Sequence, residues 1–276
     1  MQRFSLRITV EAGEEQTACA LLAQRSGLAK GRIKDAMVKG AVCLKVGKGS
    51  RKRLRRASTV LKPGQVLELH YDQELLGLQP PQARCLFDAG PYSVWEKPAG
   101  LLAQGTQYGD HCSLVRQAEL HFQGKRPVLP VHRLDREAAG LMLLAHSREA
   151  AARFSRLLQE GKIGKGYRIT VVGRPEPDEG DIDLELDHKP ALTHYRVTGY
   201  DPATNRATVA VSIATGRLHQ IRRHFAAIDH PVLGDPRYGT GNKNRAGLQL
   251  VAHSLAFRCP FTGKRHDFDL DTTPAV

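Results

Sequence analysis

Eleven residues near the middle of the chain, Val131-His132-Arg133-Leu134-Asp135-Arg136-Glu137-Ala138-Ala139-Gly140-Leu141, constrain the fold more than any other stretch. They follow Arg126-Pro127-Val128-Leu129-Pro130 and lead into an apolar run from Leu141 to Ala145. Prolines on one side and a glycine on the other mark a loop or short turn, held here against strand ends. Asp135 is flanked by the guanidiniums of Arg133 and Arg136, and a neighbouring cation favours the ionised carboxylate, so Asp135 is expected to stay charged at neutral pH. Taken alone, Arg-Leu-Asp-Arg is most often a salt-bridged surface loop. The rest of the chain points elsewhere.

At 276 residues the chain can hold one sizeable domain and a small one, and its 41% hydrophobic content can fill a core. No apolar stretch is long enough to span a membrane, and Met1 to Arg7 lacks a hydrophobic signal core, so a cytoplasmic protein is expected. The net charge of +13, from 41 basic against 28 acidic residues, favours a polyanionic partner, nucleic acid before anionic membrane. Cys19, Cys43, Cys85, Cys112 and Cys259 are odd in number and without Cys-x-x-Cys spacing, which fits reduced, buried thiols. His219, His224 and His230 lack the spacing of a helical zinc pair, and no metal site is expected.

Residues 14–71 read as a compact unit. Ala18, Leu21 and Leu22 give a short amphipathic helix ending near Gly27, and Ile33 and Met37 give a second from about Lys30, closed by Gly40. Residues 41–46 and 66–71 read as strands. Between them runs Lys48-Gly49-Ser50-Arg51-Lys52-Arg53-Leu54-Arg55-Arg56. By itself such a run is a solvated face. Domain boundaries are expected at 1–72, with 73–84 as a semi-rigid linker around Pro80-Pro81 and 85–276 as the larger domain. In that domain Tyr92 to Leu101 reads as a strand ending in a Pro-x-Gly turn, 113–122 as helix, and 141–146 as a buried strand. Ser147 caps a helix with Ala151, Phe154, Leu157 and Leu158 on one face. Three glycines then precede a strand entered at Tyr167, and segments near 181–187, 193–200 and 206–213 alternate as antiparallel strands do.

A second motif, Thr215-Gly216-Arg217-Leu218-His219-Gln220-Ile221-Arg222-Arg223-His224-Phe225, opens at a glycine after a strand and continues as an amphipathic helix with Ile221, Phe225 and Ile228 inward. This puts Arg217 at a strand-to-helix junction, where side chains commonly point into a cleft.

His132 to Leu141 resembles the signature of the RluA-type pseudouridine synthases, and Gly216 to Arg222 resembles their Gly-Arg-Thr-His-Gln-Ile-Arg. Ala138-Ala139 stands where the family has Thr-Ser, Leu218 where it has Thr, Glu96 where it has Asn before Lys-Pro-x-Gly-Leu, and Gln104 where a histidine is common. The resemblance runs in motif order over residues 85–270. It implies that Asp135 is the catalytic residue and Arg217 its ion-pair partner. Lys165-Gly166-Tyr167 matches the family's Lys-x-Tyr, which sets the Tyr167 ring against the target base, with Ile221 as apolar contact on the other side. His132, Arg133, Arg136, His219 and Gln220 are expected to meet substrate. The N-terminal helix pair, strand, basic loop and strand resemble the ribosomal S-four-type RNA-binding module, with Lys30, Arg32, Lys34, Arg51, Lys52, Arg53, Arg55 and Arg56 as RNA contacts.

The expected fold is α+β: a mixed, mainly antiparallel sheet with flanking helices and a central cleft, plus the small α/β module. The expected activity is isomerisation of uridine to pseudouridine in structured RNA, ribosomal large-subunit RNA before transfer RNA, by a monomer. No electron or hydride moves, so no cofactor is called for. A noncatalytic RNA-binding protein would not need Asp135, Arg217 and Tyr167 together. A phosphotransferase fails on context: Leu134 separates Arg133 from Asp135, and no Gly-rich loop precedes the motif.

Overall fold

The structure, a computed structural model, describes residues 2–13, 16–239 and 246–271. The chain divides into two compact units, Met1–Pro80 with Gln104–Gln117, and Pro81–Ala103 with Ala118–Val276.

In the first unit β1 (Arg3–Thr9) is followed by α1 (Ala18–Ser26), α2 (Lys30–Val38), β2 (Val42–Lys45), β3 (Lys52–Arg53), β4 (Val66–Asp72) and α3 (Gln73–Gly77). The strands form an antiparallel sheet in the order β1-β4-β2-β3. Helix α1 starts where the Thr17 side chain accepts the Ala20 amide and stops at Gly27, whose left-handed backbone (φ 71°) suits a residue without a β-carbon. In β4 every second residue is buried, and Leu67, Leu69 and Tyr71 join Leu21, Leu22, Ile33 and Met37 in one core. Residues 73–77, expected to begin a linker, are helical because Asp72 caps them by accepting the Leu75 amide at 3.0 Å, and Leu76 is buried in the same core.

The second unit contains β5 (Arg84–Asp88) and β6 (Tyr92–Lys97). After them come α4 (Leu114–His121), which begins within the first unit's residues, then β7 (Leu129–Pro130), β8 (Ala139–Ala145) and α5 (Arg148–Gln159). Next are β9 (Ile163–Val172), β10 (Glu179–Asp183), β11 (Leu192–Asp201), β12 (Arg206–Ile213), α6 (Gln220–Ala227), β13 (Leu250–Arg258) and β14 (Arg265–Asp269). Ten strands make one sheet, ordered β10-β11-β12-β9-β13-β8-β6-β5, with β14 on β13 and β7 on β8. Among the strands of the described residues only β13 and β8 pair in parallel, so the expected mixed, mainly antiparallel α+β architecture is the one observed.

Strands β6 and β8 are buried almost throughout, which is why Leu141 to Ala145 of β8 read as a continuous apolar run rather than an alternating one. Ser147 caps α5 by accepting the Ala150 amide at 3.0 Å, and Phe154 packs with Tyr92, Leu141, Leu143 and Phe257. The glycines expected to precede β9 lie partly inside it. A β-carbon on Gly166 would run into the Ser254 hydroxyl, next to the irregularity in β13 between Ala252 and Ser254. The Asp135 loop spans the gap from β7 to β8, at the point where Gly140 meets Ala252 of β13. Gly140 has φ 119°, and a β-carbon there would strike the Ala252 backbone, so only glycine brings these strands together beneath the loop.

Candidate active site

A cleft of about 540 Å³ opens beside this loop, with Asp135, Lys165, Tyr167, Arg217, His219 and Ile221 among its walls. Its size suits one nucleotide side group, and its charged and aromatic walls suit a polar ring. The end of α5 and the start of α6 border it, together with β9 and the end of β12.

The Asp135 carboxylate takes its cation from α6. Oδ2 accepts from Arg222 Nη1 at 2.9 Å, and Oδ1 faces His219 Nε2 at 3.7 Å. The other edge of the Arg222 guanidinium forks onto Asp235, Nε to Oδ2 at 2.7 Å and Nη2 to Oδ1 at 2.9 Å. Asp235 is fully buried and also accepts the amides of Arg237 (2.8 Å) and Tyr238 (3.0 Å). Burial alone would push the Arg222 pKa down; its hydrogen bonds to Asp235 and Asp135 outweigh that and hold it above its ordinary value. For Asp235 burial pushes up, and Arg222 with the two amides pulls it below its ordinary value. The result is a cation fixed from behind and presented to Asp135 in a defined plane.

This corrects the expected pairing. The Arg217 guanidinium donates from Nε to the Pro190 carbonyl at 3.1 Å and makes no ion pair with Asp135, because α6 starts only at Gln220 and its first turn carries Arg222 inward. Arg133 and Arg136 are exposed and make no ion pair with Asp135 either; Arg136 Nε donates to the Gly100 carbonyl at 3.2 Å. Between them Leu134 is buried and Asp135 faces the cleft.

Two further residues expected at the substrate line the cleft and also brace the protein around it. Gln220 is buried and fully engaged: its Oε1 accepts from Thr215 Oγ1 (2.7 Å) and the Arg217 amide (3.0 Å), and its Nε2 donates to the Leu192 carbonyl (2.9 Å) and Thr193 Oγ1 (3.1 Å). It fixes the turn that carries residues 215–219. His132 Nε2 accepts the Leu143 amide at 3.1 Å, tying the Asp135 loop to β8, and burial pushes its pKa down to about 4, with Lys165 adding to the effect.

Lys97 is the residue that motif reading passed over. It is fully buried at the end of β6, and its Nζ donates to the carbonyls of Pro98 (3.0 Å), Leu101 (2.8 Å), Arg136 (3.3 Å) and Ala138 (2.5 Å). One ammonium thereby staples the 98–101 turn to both flanks of Glu137. Burial pushes its pKa down to about 8, against the opposing pull of Asp135 and Glu137. No spacing in the sequence signals a lysine whose partners are all main-chain carbonyls.

Tyr167 stands in the wall at 8% exposure, and burial first, then Asp135, pushes its phenol pKa well above the ordinary value. It therefore offers a neutral aromatic face. Ile221 is buried against the same cleft. His219 begins α6 with a left-handed backbone (φ 54°, ψ 31°), and its Nδ1 is 2.9 Å from the Tyr238 hydroxyl. Leu218, beside it, is 46% exposed in the rim.

In the first unit the basic residues divide. Arg53 and Arg55 are half-buried against Asp110, at 2.9 and 2.5 Å, and also donate to the carbonyls of Thr106 (2.7 Å) and Val38 (2.8 Å); they hold residues 104–117 in place. Arg51 pairs with Glu68 at 2.8 Å, and Arg56 Nε donates to Ser58 Oγ at 3.1 Å. Lys30, Arg32, Lys34 and Lys52 are exposed and make no ion pair among the described residues. One cluster among the described residues, His253 with Asp269 and Asp271, has donor atoms close enough to hold a cation. Arg168 Nη2 already lies 2.9 Å from Asp271 and 2.5 Å from His253, which supplies that charge from the protein.

The profile of the RNA pseudouridylate synthase family matches residues 91–227, a span that contains Asp135, Tyr167 and Arg222. An uncharacterized RNA pseudouridine synthase of Aquifex aeolicus is 30% identical over 299 residues, covering 96% of this chain and 93% of that one. The ribosomal large subunit pseudouridine synthase D of Zymomonas mobilis is 31% identical over 211 residues, 64% of this chain and 65% of that one. The structure of human RNA Pseudouridylate Synthase Domain Containing 4 superposes with a TM-score of 0.56 at 25% identity, over 69% of this chain and 88% of that one. Similarity to the Aquifex protein sustained along nearly the whole of both chains, with the family match falling on the span that builds the cleft, means that this chain belongs to the RluA-type RNA pseudouridine synthases, isomerases that act on RNA.

Proposed function

We propose that the chain isomerises particular uridines to pseudouridine in structured RNA, large-subunit ribosomal RNA first and transfer RNA second, as a cytoplasmic monomer. The observation that carries the site assignment is the Asp135–Arg222–Asp235 chain at the cleft, with the Tyr167 ring in the same wall. A uridine inside folded RNA must leave its stack, at a cost of about a few kcal/mol. Stacking on Tyr167 returns about 1–3 kcal/mol of that. Asp135 then acts on the ribose, as nucleophile at C1′ or as base toward the neighbouring ribose proton. Both routes need an ionised carboxylate held in one orientation, which is the part given to Arg222. Cleavage of the N1–C1′ bond frees the uracil to turn, and C5 takes the place of N1.

The preference for ribosomal RNA rests on the first unit, read as an S-four-type module, and on the name carried by the Zymomonas relative. Lys30, Arg32, Lys34 and Lys52, exposed and without an ion pair among the described residues, are cations it offers to phosphates. Affinity for RNA that falls steeply with added salt is the corresponding expectation.

The test is tritium release from RNA labelled at C5 of uracil, with unmodified large-subunit ribosomal RNA and transfer RNA in separate reactions and Asp135→Ala as control. Release from ribosomal RNA that the substitution abolishes is expected. Release only from transfer RNA overturns the substrate order, and release that survives Asp135→Ala overturns the site.

A further inference from the structure

The isomerisation leaves one proton to be moved. When C5 bonds to C1′, it becomes tetrahedral and still carries its hydrogen, and the ring holds an N1=C6 double bond. Product forms when the C5–H bond breaks, its electron pair restores C5=C6, the N1=C6 pair withdraws to N1, and N1 gains a proton. The net change is a transfer from C5 to N1, with no proton lost or gained overall. Tyr167 is poorly suited to this task, because its buried phenol keeps its proton. Asp135 is engaged with Arg222 and with the ribose. Lys165 lines the cleft, but no hydrogen bond or ion pair among the described residues aims its ammonium.

His219 is aimed. Its Nε2 lies 3.7 Å from Asp135 Oδ1, and its side chain keeps 15% exposure toward the cleft. Its Nδ1 is 2.9 Å from the Tyr238 hydroxyl, a group that can either accept from that nitrogen or donate to it. The ring can thus present a lone pair or an N–H at Nε2, which is what a group that first takes and then gives a proton requires. The backbone holding it is left-handed, a conformation that costs a non-glycine residue about 1 kcal/mol or more and collects at functional sites. The negative charges of Asp135 and Glu137 pull the imidazole pKa up, and the positive charges of Arg222 and Arg237 push it down. Burial, the largest influence, holds it below its ordinary pKa while Asp135 pulls upward, so it is neutral at pH 7 yet has an anion beside it once protonated.

Building on the function proposed above, we propose that His219 is the proton carrier of the reaction: Nε2 takes the C5 proton after the C5–C1′ bond has formed and delivers it to N1, with Tyr238 setting the tautomer. The test uses an RNA that the wild-type enzyme modifies, carrying uridine, 5-deuteriouridine or 5-fluorouridine at the target. Fluorine cannot leave C5 as a cation, so 5-fluorouridine reports bond cleavage and reattachment without the proton transfer. His219→Asn, which tolerates the left-handed backbone, is expected to slow uridine turnover by at least ~100-fold and to bring in a primary isotope effect, with 5-fluorouridine conversion within about threefold of wild type. Tyr238→Phe removes one oxygen and is expected to show the same pattern more weakly, at about tenfold. Equal losses on uridine and 5-fluorouridine would mean that His219 only positions its neighbours, and undiminished uridine turnover in His219→Asn would mean that another group moves the proton; either overturns the inference. A wild-type enzyme inactive on every RNA overturns the underlying functional reading instead.

Discussion

Arg222→Lys and Arg217→Ala, made side by side, decide which arginine serves Asp135. Arg222 makes three charge-assisted hydrogen bonds, at 2.7 and 2.9 Å to Asp235 and 2.9 Å to Asp135, all from one planar fork. An ammonium is a point charge and cannot occupy both positions. Asp235 is fully buried and would bear the larger penalty if left alone, so a lysine settles there and Asp135 loses its cation. Each such bond is worth about 1.5–3 kcal/mol, and two of the three are lost, one of them partly replaced by solvent at the cleft; about 3 kcal/mol of stability goes with them. Turnover loses the share belonging to Asp135, and at about 1.4 kcal/mol per tenfold this amounts to roughly 10–100-fold in kcat. Arg217→Ala removes one bond to a carbonyl at the rim, expected to cost no more than about 1 kcal/mol and to act on KM rather than kcat. Single-turnover tritium release and urea unfolding on the same preparations measure both quantities. Near-normal kcat in Arg222→Lys, with Arg217→Ala inactive, would refute the reasoning and restore the pairing suggested by motif order.

Three other outcomes are expected. Lys97→Met strips the donor from four carbonyls, and even after relief of the buried charge it should cost about 2–4 kcal/mol in urea unfolding and lower kcat by loosening the Asp135 loop; a variant as stable and active as wild type would show that the staple is dispensable. Gly140→Ala drives a β-carbon into the Ala252 backbone at positive φ and should cost about 2–4 kcal/mol in thermal melts, so a loss under about 1 kcal/mol would mean that β8 and β13 can part without consequence. His132 has its folded pKa pushed down to about 4 from 6.5, so the unfolded chain binds the proton first; its contribution is complete above about pH 6.5 and is lost as pH falls toward 4. Urea midpoints should drop across that window and drop less in His132→Gln; identical slopes would remove His132 from the account.

What the sequence made legible was local. Asp135 could be found because its whole setting, proline pair, charged turn, glycine and apolar strand, lies within about twenty consecutive residues. The helices of the first unit were legible because apolar spacing and capping residues sit next to each other. Strand β1 alternates Phe4, Leu6 and Ile8 inward against Arg3, Ser5 and Arg7, a period-two signal carried by seven consecutive residues. Lys97 and Gln220 were not legible as structural residues, because their partners are carbonyls and amides that only the finished fold brings within reach.

The arginines show why this boundary falls where it does. An arginine in a motif has no fixed role until a carboxylate or phosphate meets it, and that meeting is decided by tertiary structure. Arg217 and Arg222 are five positions apart in one motif, and amphipathic patterning by itself favours placing a charged helix residue such as Arg222 outside. Arg222 is instead 2% exposed, because the Gly234-Asp235 turn returns a buried carboxylate to it. The same logic runs through the basic loop of the first unit, where Asp110 and Glu68 withdraw Arg53, Arg55 and Arg51 from a run that reads as uniformly free charge. The charge available to RNA phosphates is accordingly smaller than the 41 basic residues imply, and among the described residues it includes Lys30, Arg32, Lys34 and Lys52, which make no ion pair there. A cation paired inside the fold shapes the protein; one left unpaired at the surface is what a polyanion can use.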